Sequence, residues 1–327
     1  MFIPVTDASH VAEGRRLVRD LARKIGLPPD RIDEVAIVVT ELATNLVKHT
    51  GGGHIHASRF NDAEGTGLEL LALDRGKGMA DIQRCLRDGY STAGSPGNGL
   101  GAIERLADSM RVYSRLGLGS AIMARILHQQ SDTSGMAIGA TLAPYPGETV
   151  CGDNWSFAAA QAGPTLLLVD GSGHGIEAAR ATEIAVRSFT EHAEKSCEAI
   201  IDAIHRALAP TRGAAVAVVR IDSKARLVRI VGVGNISALL IHSAGTRHMV
   251  SHNGTAGHVA PRIREFTYEY DAAPTVVLHS DGVATRWDLT AYPGLITQHP
   301  TLIAGVLLRD HRRNRDDASV VAMRALS

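Results

Sequence analysis

Residues 165–179 read TLLLVDGSGHGIEAA: an apolar run, an acid, a glycine-rich turn and the start of a helix. Residues 165–169 predict a buried strand, and Gly171, Gly173 and Gly175 predict a tight turn that leaves Asp170 at the strand end. The segment TVVLHSDG, 275–282, repeats the arrangement and delivers Asp281. Gly152-Asp153 and Asp316-Asp317-Ala318-Ser319 add acids beside further apolar stretches. Taken singly, Asp-Gly is a common turn dipeptide, so the reading rests on all four in this order. Carboxylates gathered at strand ends repel one another unless divalent cations lie among them. Hard oxygen donors select Mg²⁺ or Mn²⁺ over Zn²⁺, and no His/Cys pairs stand at zinc spacing. Two such ions can hold phosphate oxygens for in-line attack by water, which is phosphomonoester hydrolysis without a covalent intermediate.

Around this segment, strands are expected at 214–221, 227–233, 238–241 and 319–323, and helices at 176–194 and 197–208. Residues 128–136, HQQSDTSGM, have the composition of a linker. The fold class is α+β, with domains expected at 1–130 and 137–327 and no internal repeat.

The first 130 residues read as an α/β sandwich. A helix is expected over 8–26 behind a cap at Asp7, and a second after Pro28-Pro29-Asp30 with the stripe Ile32, Val35, Ala36, Val39, Leu42, Ala43 and Leu46. Strands are expected at 54–60, 68–74, 110–114 and 120–127, and a short helix at 102–107. Three features carry chemistry. Glu41 and Asn45 share a helix face one turn apart, where a carboxylate can polarise a hydroxyl and an amide oxygen can ligate Mg²⁺ beside a phosphate. Asp74-Arg75-Gly76-Lys77-Gly78 follows a strand, so Asp74 can accept the amine of adenine while Gly76 and Gly78 let the backbone turn closely. Gly97-Asn98-Gly99-Leu100-Gly101 precedes a helix whose amides can face a polyphosphate. No lysine-anchored phosphate loop is present in the sequence.

The 34 basic and 34 acidic residues cancel, giving no reason to expect a nucleic-acid or anionic-membrane partner. Cys85, Cys151 and Cys197 fit a reducing compartment, and no run of about 18 apolar residues occurs, so a cytoplasmic location is expected.

ELATNLVKHTGGG (41–53), LALDRGKGM (71–79) and DGYSTAGSPGNGLGAIERLAD (88–108) resemble the GHKL ATPase superfamily, and within it the RsbT/RsbW-like anti-sigma and switch serine kinases. The resemblance implies a Bergerat-type fold holding ATP with Mg²⁺. Glu41 would be the catalytic or orienting acid, Asn45 the Mg²⁺ ligand, Asp74 the adenine reader, and Gly76, Gly78, Gly97, Gly99 and Gly101 nucleotide-binding, with residues 85–97 as a lid. CGDNW (151–155), LLLVDGSGHGIEAA (166–179), VGVGNISALLI (231–241), VVLHSDGV (276–283) and RDDASVV (315–321) resemble PPM-type phosphatases of the SpoIIE-like, RsbX-like branch. That implies a β-sandwich flanked by helices, with Asp153, Asp170, Asp281 and Asp316 as catalytic metal ligands of two Mg²⁺ or Mn²⁺ ions. The carbonyl of Gly171 joins them, and Asp316 is preferred to Asp317 as the first of the pair.

His174 is available as a proton donor, and Arg180, Arg212 and Arg286 are available as a phosphate clamp. The combination implies a bifunctional regulator that writes and erases a phosphoserine mark on a STAS-domain protein, with a sigma factor as a further partner and an oligomer allowed. Two alternatives stay open: a phosphatase whose N-terminal domain only senses nucleotide or sequesters a partner, and a non-enzymatic partner-switching module.

Overall fold

The stripe on the second helix is buried at every position, and all of it but Ala36 joins one cluster that includes Val18 and Ala22 of the preceding helix. The computed structural model describes residues 1–86, 99–130, 135–242, 245–259 and 263–325. In chain order the elements are β1 (Phe2–Val5), α1 (Ala8–Ile25), α2 (Pro29–Asn45), β2 (Gly53–Asp62), β3 (Gly65–Leu73), α3 (Ile82–Leu86), α4 (Gly99–Leu106), β4 (Ser109–Arg115) and β5 (Gly119–Gln129). There follow β6 (Met136–Ala143), β7 (Asp153–Ala160), β8 (Gly163–Gly171), α5 (Ile176–His192), α6 (Cys197–Leu208), β9 (Ala214–Asp222), β10 (Leu227–Val233) and β11 (Ser237–His242). The last are β12 (Gly245–Met249), β13 (Phe266–Glu269), β14 (Thr275–His279), α7 (Pro300–His311) and β15 (Ala318–Ala325). Among the described residues no helix is long and apolar enough to cross a membrane.

The chain forms two units. Unit 1 has an antiparallel sheet in the order β1-β2-β3-β5-β4. Asp7 starts α1 as expected, its carboxylate accepting from the Ser9 and His10 amides. Side chains alternate across a strand, and β3 uses both faces. Leu68, Leu70 and Ala72 enter the cluster beneath α1 and α2. Glu69, Leu71 and Leu73 are buried on the opposite face, where α7 lies against them.

This is a departure from a two-part division of the sequence, since Tyr292–Arg309 packs with Met1–Asp132 while Asp310–Ser327 returns to unit 2. The physical cause is the odd-numbered face of β3. The Thr301 hydroxyl donates to Glu69 Oε2 at 2.8 Å, which also accepts from Arg125 Nε at 2.7 Å, and Arg125 is 1% exposed. A Cβ on Gly305 would stand 2.6 Å from Leu71 Cδ2 and 3.1 Å from Leu73 Cδ2. Gly305→Val is therefore expected to destabilise unit 1 by about 2 kcal/mol through overpacking, read as a lower midpoint in chemical denaturation.

Unit 2 is a sandwich of two antiparallel sheets, β13-β10-β9-β8-β7 and β12-β11-β14-β15-β6. The run LLLV is apolar throughout because both faces of β8 are covered. Leu166 and Leu168 pack between the sheets with Ile138, Leu240, Leu278 and Val321. Leu167 and Val169 face the layer of α5 and α6, with Phe189, Ile200 and Ile204. Strands β1, β6, β7, β12 and β13 and helices α3 and α7 are additions to the expected elements. The expected α+β architecture, a Bergerat-type sandwich and a helix-flanked β-sandwich, is the one observed.

Candidate functional site

In unit 2 the register of β7 on β8 places Asp153 directly opposite Asp170. Asp153 is 3% exposed and accepts from the Ser280 hydroxyl at 2.6 Å, while Ser280 Oγ accepts from the Ser319 amide at 3.0 Å. This chain of bonds ties the start of β7 to the end of β14 and the start of β15. Burial pushes the Asp153 carboxyl up to about 7 despite those hydrogen bonds. Burial, reinforced by the charges of Asp153, Asp281, Asp316 and Asp317, pushes Asp170 up to about 9. Asp281 is raised by burial and by Asp316, and its Oδ2 accepts from Asn235 Nδ2 at 2.6 Å.

Asp170, Gly171, Asp281 and Asp316 line one cleft of about 430 Å³, together with Ser172, Gly173, Ala215, Gly234, Asn235, Asn253, Gly254 and Thr255. Asp153 is not among the lining residues. Among the described residues no three His, Cys, Asp or Glu side chains close around a single ion position, so the acids share a cleft without forming a closed cage. Asp317 does not line the cleft either: it is buried, and its Oδ1 accepts from the Tyr145 amide at 2.8 Å. Close packing fixes two glycines beside the acids. A Cβ on Gly152 would stand 2.6 Å from Asp317 Oδ2, and one on Gly171 2.6 Å from the Ala178 carbonyl oxygen.

His174 lies outside this lining, with Nδ1 3.1 Å from Glu148 Oε1 and its ring stacked on Tyr145 at 4.2 Å. None of Arg180, Arg212 and Arg286 lines the cleft, although an Arg212 nitrogen would lie 3.5 Å from a Cβ on Gly173. The sequence reading assigned no role to Ser280, Asn235, Asn253 or Thr255. For Asn235 the signal was present in VGVGNI, a glycine-flanked polar residue at a strand end.

In unit 1 the start of α4 meets α2. A Cβ on Gly99 would stand 2.8 Å from Glu41 Oε2 and 3.4 Å from Asn45 Oδ1, so these three expected residues converge. After Asn45 the helix widens into one π-helical turn, Leu46–Thr50, a feature frequent at functional sites. Thr50 closes on Gly76, whose Cβ would lie 2.8 Å from Thr50 Cγ2. Asp74, 6% exposed, accepts from the Gly76 amide at 2.7 Å and the Ser120 amide at 3.2 Å. Burial, against those bonds, raises its pKa above the ordinary carboxylate value. Gly78 has φ +70°, and a Cβ there would be 2.0 Å from the Arg115 carbonyl oxygen. Gly101 is buried within α4. Gly97 and most of the expected lid lie outside the described residues.

A GHKL-like unit bearing an acid–amide pair beside a glycine helix start, and a β-sandwich with acids around one cleft, define a histidine kinase-like ATPase domain joined to a PP2C-type protein phosphatase domain. Residues 3–126 match the histidine kinase-like ATPase domain family. Residues 162–326 match the Stage II sporulation protein E (SpoIIE) family, and the chain belongs to it. The serine/threonine-protein kinase RsbT of Bacillus subtilis (strain 168) is 32% identical over 114 residues, 35% of this chain and 86% of RsbT. A solved chain of the bacterial stressosome, described as a modular system adapted to control secondary messenger signalling, is 28% identical with a TM-score of 0.54. That alignment covers 58% of this chain and 99% of the stressosome chain. The PP2C phosphatase domain of the cell fate determinant SpoIIE from Bacillus subtilis, with a fragment of its regulatory domain, aligns with a TM-score of 0.50. Its identity is 16%, over 97% of this chain and 94% of that one, which is likeness of fold.

Proposed function

We propose that this chain both adds and removes phosphate on a serine or threonine of a STAS-domain protein in a cytoplasmic partner-switching pathway. The observation that carries the proposal is the convergence of Asp170, Asp281 and Asp316 on one cleft beside buried Asp153, in a chain of which 35% aligns with RsbT.

The donor set is all oxygen, and crowding plus burial disfavour its charged form, so it fits hard divalent cations such as Mg²⁺ or Mn²⁺. Asp153, Asp170, Asp281, Asp316 and the Gly171 carbonyl would hold two of them. When bound they supply positive charge for phosphoryl oxygens and lower the pKa of the attacking water. The protein's own part is positional. Ser280 fixes the Asp153 carboxylate, Asn235 fixes Asp281, and Gly171 and Gly173 line the cleft with backbone alone. His174, within hydrogen-bond reach of Glu148, would exchange protons with solvent.

In unit 1, Asp74 would accept the adenine amine, Asn45 would hold the Mg²⁺ of ATP, Glu41 would orient the substrate hydroxyl, and the amides at the start of α4 would serve the phosphates. Gly76, Gly78, Gly99 and Gly101 would let the backbone approach the nucleotide, and Gly97 keeps its proposed phosphate-loop role on sequence alone.

The test is direct. The purified chain with Mn²⁺ is expected to release phosphate from a phosphorylated STAS-domain protein and to stop when EDTA is added. Metal-independent release, or none, would end the phosphatase half of the proposal. Asn235→Ala frees one oxygen of Asp281, and loss of such an orienting partner is expected to weaken Mn²⁺ activation about tenfold or more, measured as the Mn²⁺ concentration giving half-maximal activity.

A further inference from the structure

Four carboxylates and two divalent cations cancel in charge. An arriving phosphoserine carries about −1.5 to −2 at neutral pH, so beyond its direct contact with the cations it would gain from further positive charge at the rim of the site. Beside the acids opens a second cleft, about 480 Å³, lined by Asp281, Gly282, Arg313, Asn314, Arg315 and Asp316. It shares Asp281 and Asp316 with the first.

Its two arginines are exposed, whereas Arg312 between them and α7 is half-buried and bonded to the Pro144 carbonyl. The segment is anchored to the turn that delivers Asp281. The Arg313 amide donates to the Gly282 carbonyl at 2.7 Å, and Arg313 Nη1 lies 3.3 Å from the Asp281 carbonyl oxygen. That turn has no slack, because a Cβ on Gly282 would meet the Asp317 carbonyl oxygen at 1.9 Å. Arg315 immediately precedes Asp316 and makes no side-chain hydrogen bond or ion pair with a described residue.

We propose that Arg313 and Arg315 form the phosphate clamp of this centre, receiving the dianionic phosphoryl group of phosphoserine or phosphothreonine where it meets Asp281 and Asp316. The assignment rests on the phosphatase reading. Guanidinium groups suit the role because their planar fork binds two phosphate oxygens at once and stays charged at any working pH. Arg180, Arg212 and Arg286, the arginines that the sequence alone offers, line neither cleft.

The test uses the full chain with Mn²⁺ and variants Arg313→Ala, Arg315→Gln, Arg315→Lys and the Arg313/Arg315 double. Binding of inorganic phosphate to the Mn²⁺-loaded protein is measured by calorimetry, and turnover of a phosphoseryl peptide separately. Each single loss is expected to weaken phosphate binding and raise KM about tenfold, and the double about 100-fold. In the same variants kcat should stay within about threefold and Mn²⁺ affinity should be unchanged, and Arg315→Lys should recover part of the loss. Unchanged phosphate affinity in Arg315→Gln, or a fall confined to kcat and Mn²⁺ affinity, would overturn the clamp and leave only a structural role. Absence of wild-type turnover would instead overturn the phosphatase reading, since phosphate binding is read without turnover.

Discussion

Asp170→Asn is expected to abolish metal-dependent phosphate release, lowering kcat by about 10³-fold or more. Lewis-acid stabilisation of a phosphoryl transition state is worth several kcal/mol, and about 1.36 kcal/mol is tenfold in rate. The substitution keeps the shape of the side chain and removes an acid whose ionisation is opposed by burial and by four neighbouring acids. The metal-free protein should therefore keep its fold, with a thermal midpoint unchanged or raised. Wild-type protein should gain stability on adding Mn²⁺, as any ligand bound to the folded state confers, and the variant should gain little. Asp317→Asn serves as the contrast. Asp317 lies outside the cleft lining and holds the Tyr145 amide, a bond an asparagine oxygen can still accept, so its loss is expected to be about tenfold at most. If Asp317→Asn were the inactive variant and Asp316→Asn the mild one, the order within the acidic pair would be reversed.

What the sequence made legible was local. The α2 stripe, the Asp7 cap and the acids ending β8 and β14 depend on periodicity and on neighbours a few residues away, and each stands where its pattern placed it. Strand β8 could be recognised as doubly covered because LLLV has no polar alternation. Longer-range geometry was not legible. Nothing local to Pro300–His311 says that it packs on the odd-numbered face of β3, because Glu69 is 232 residues from Thr301 and a buried glutamate is readable only once Arg125 and Thr301 are beside it. Asn235 reaches Asp281 across 46 residues, and only the fold shows that the glycine-flanked asparagine holds that acid. The sequence offered Arg180, Arg212 and Arg286 as clamp residues, yet the arginines that line a cleft with Asp281 and Asp316 are Arg313 and Arg315 of the run RRNRDD, to which the sequence assigned no role. Asp153 was legible as an acid, while its burial under Ser280 was not.

Kinase activity and phosphatase activity in one chain would conceal each other, so the second large effect is best read in protein already carrying Asp170→Asn. In that background, transfer of radiolabel from ATP to a STAS-domain protein is expected to accumulate, because removal is blocked. Adding Glu41→Gln should reduce the accumulated label at least about 100-fold, the scale of losing a positioned acid or base. ATP affinity should change little if, as proposed, the carboxylate acts on the hydroxyl and the amide of Asn45 on the Mg²⁺. Asn45→Ala should instead lose Mg²⁺-dependent ATP binding itself, and with it transfer. The two residues lie one helical turn apart against Gly99, so a general disturbance of α2 would impair both readouts in both variants, whereas separate roles predict this split. The competing reading, in which unit 1 only senses nucleotide or sequesters a partner, predicts ATP binding by the wild type with no label transferred in the Asp170→Asn background. Glu41→Gln would then be silent, and the RsbT likeness would describe a binding fold whose chemistry has been retired.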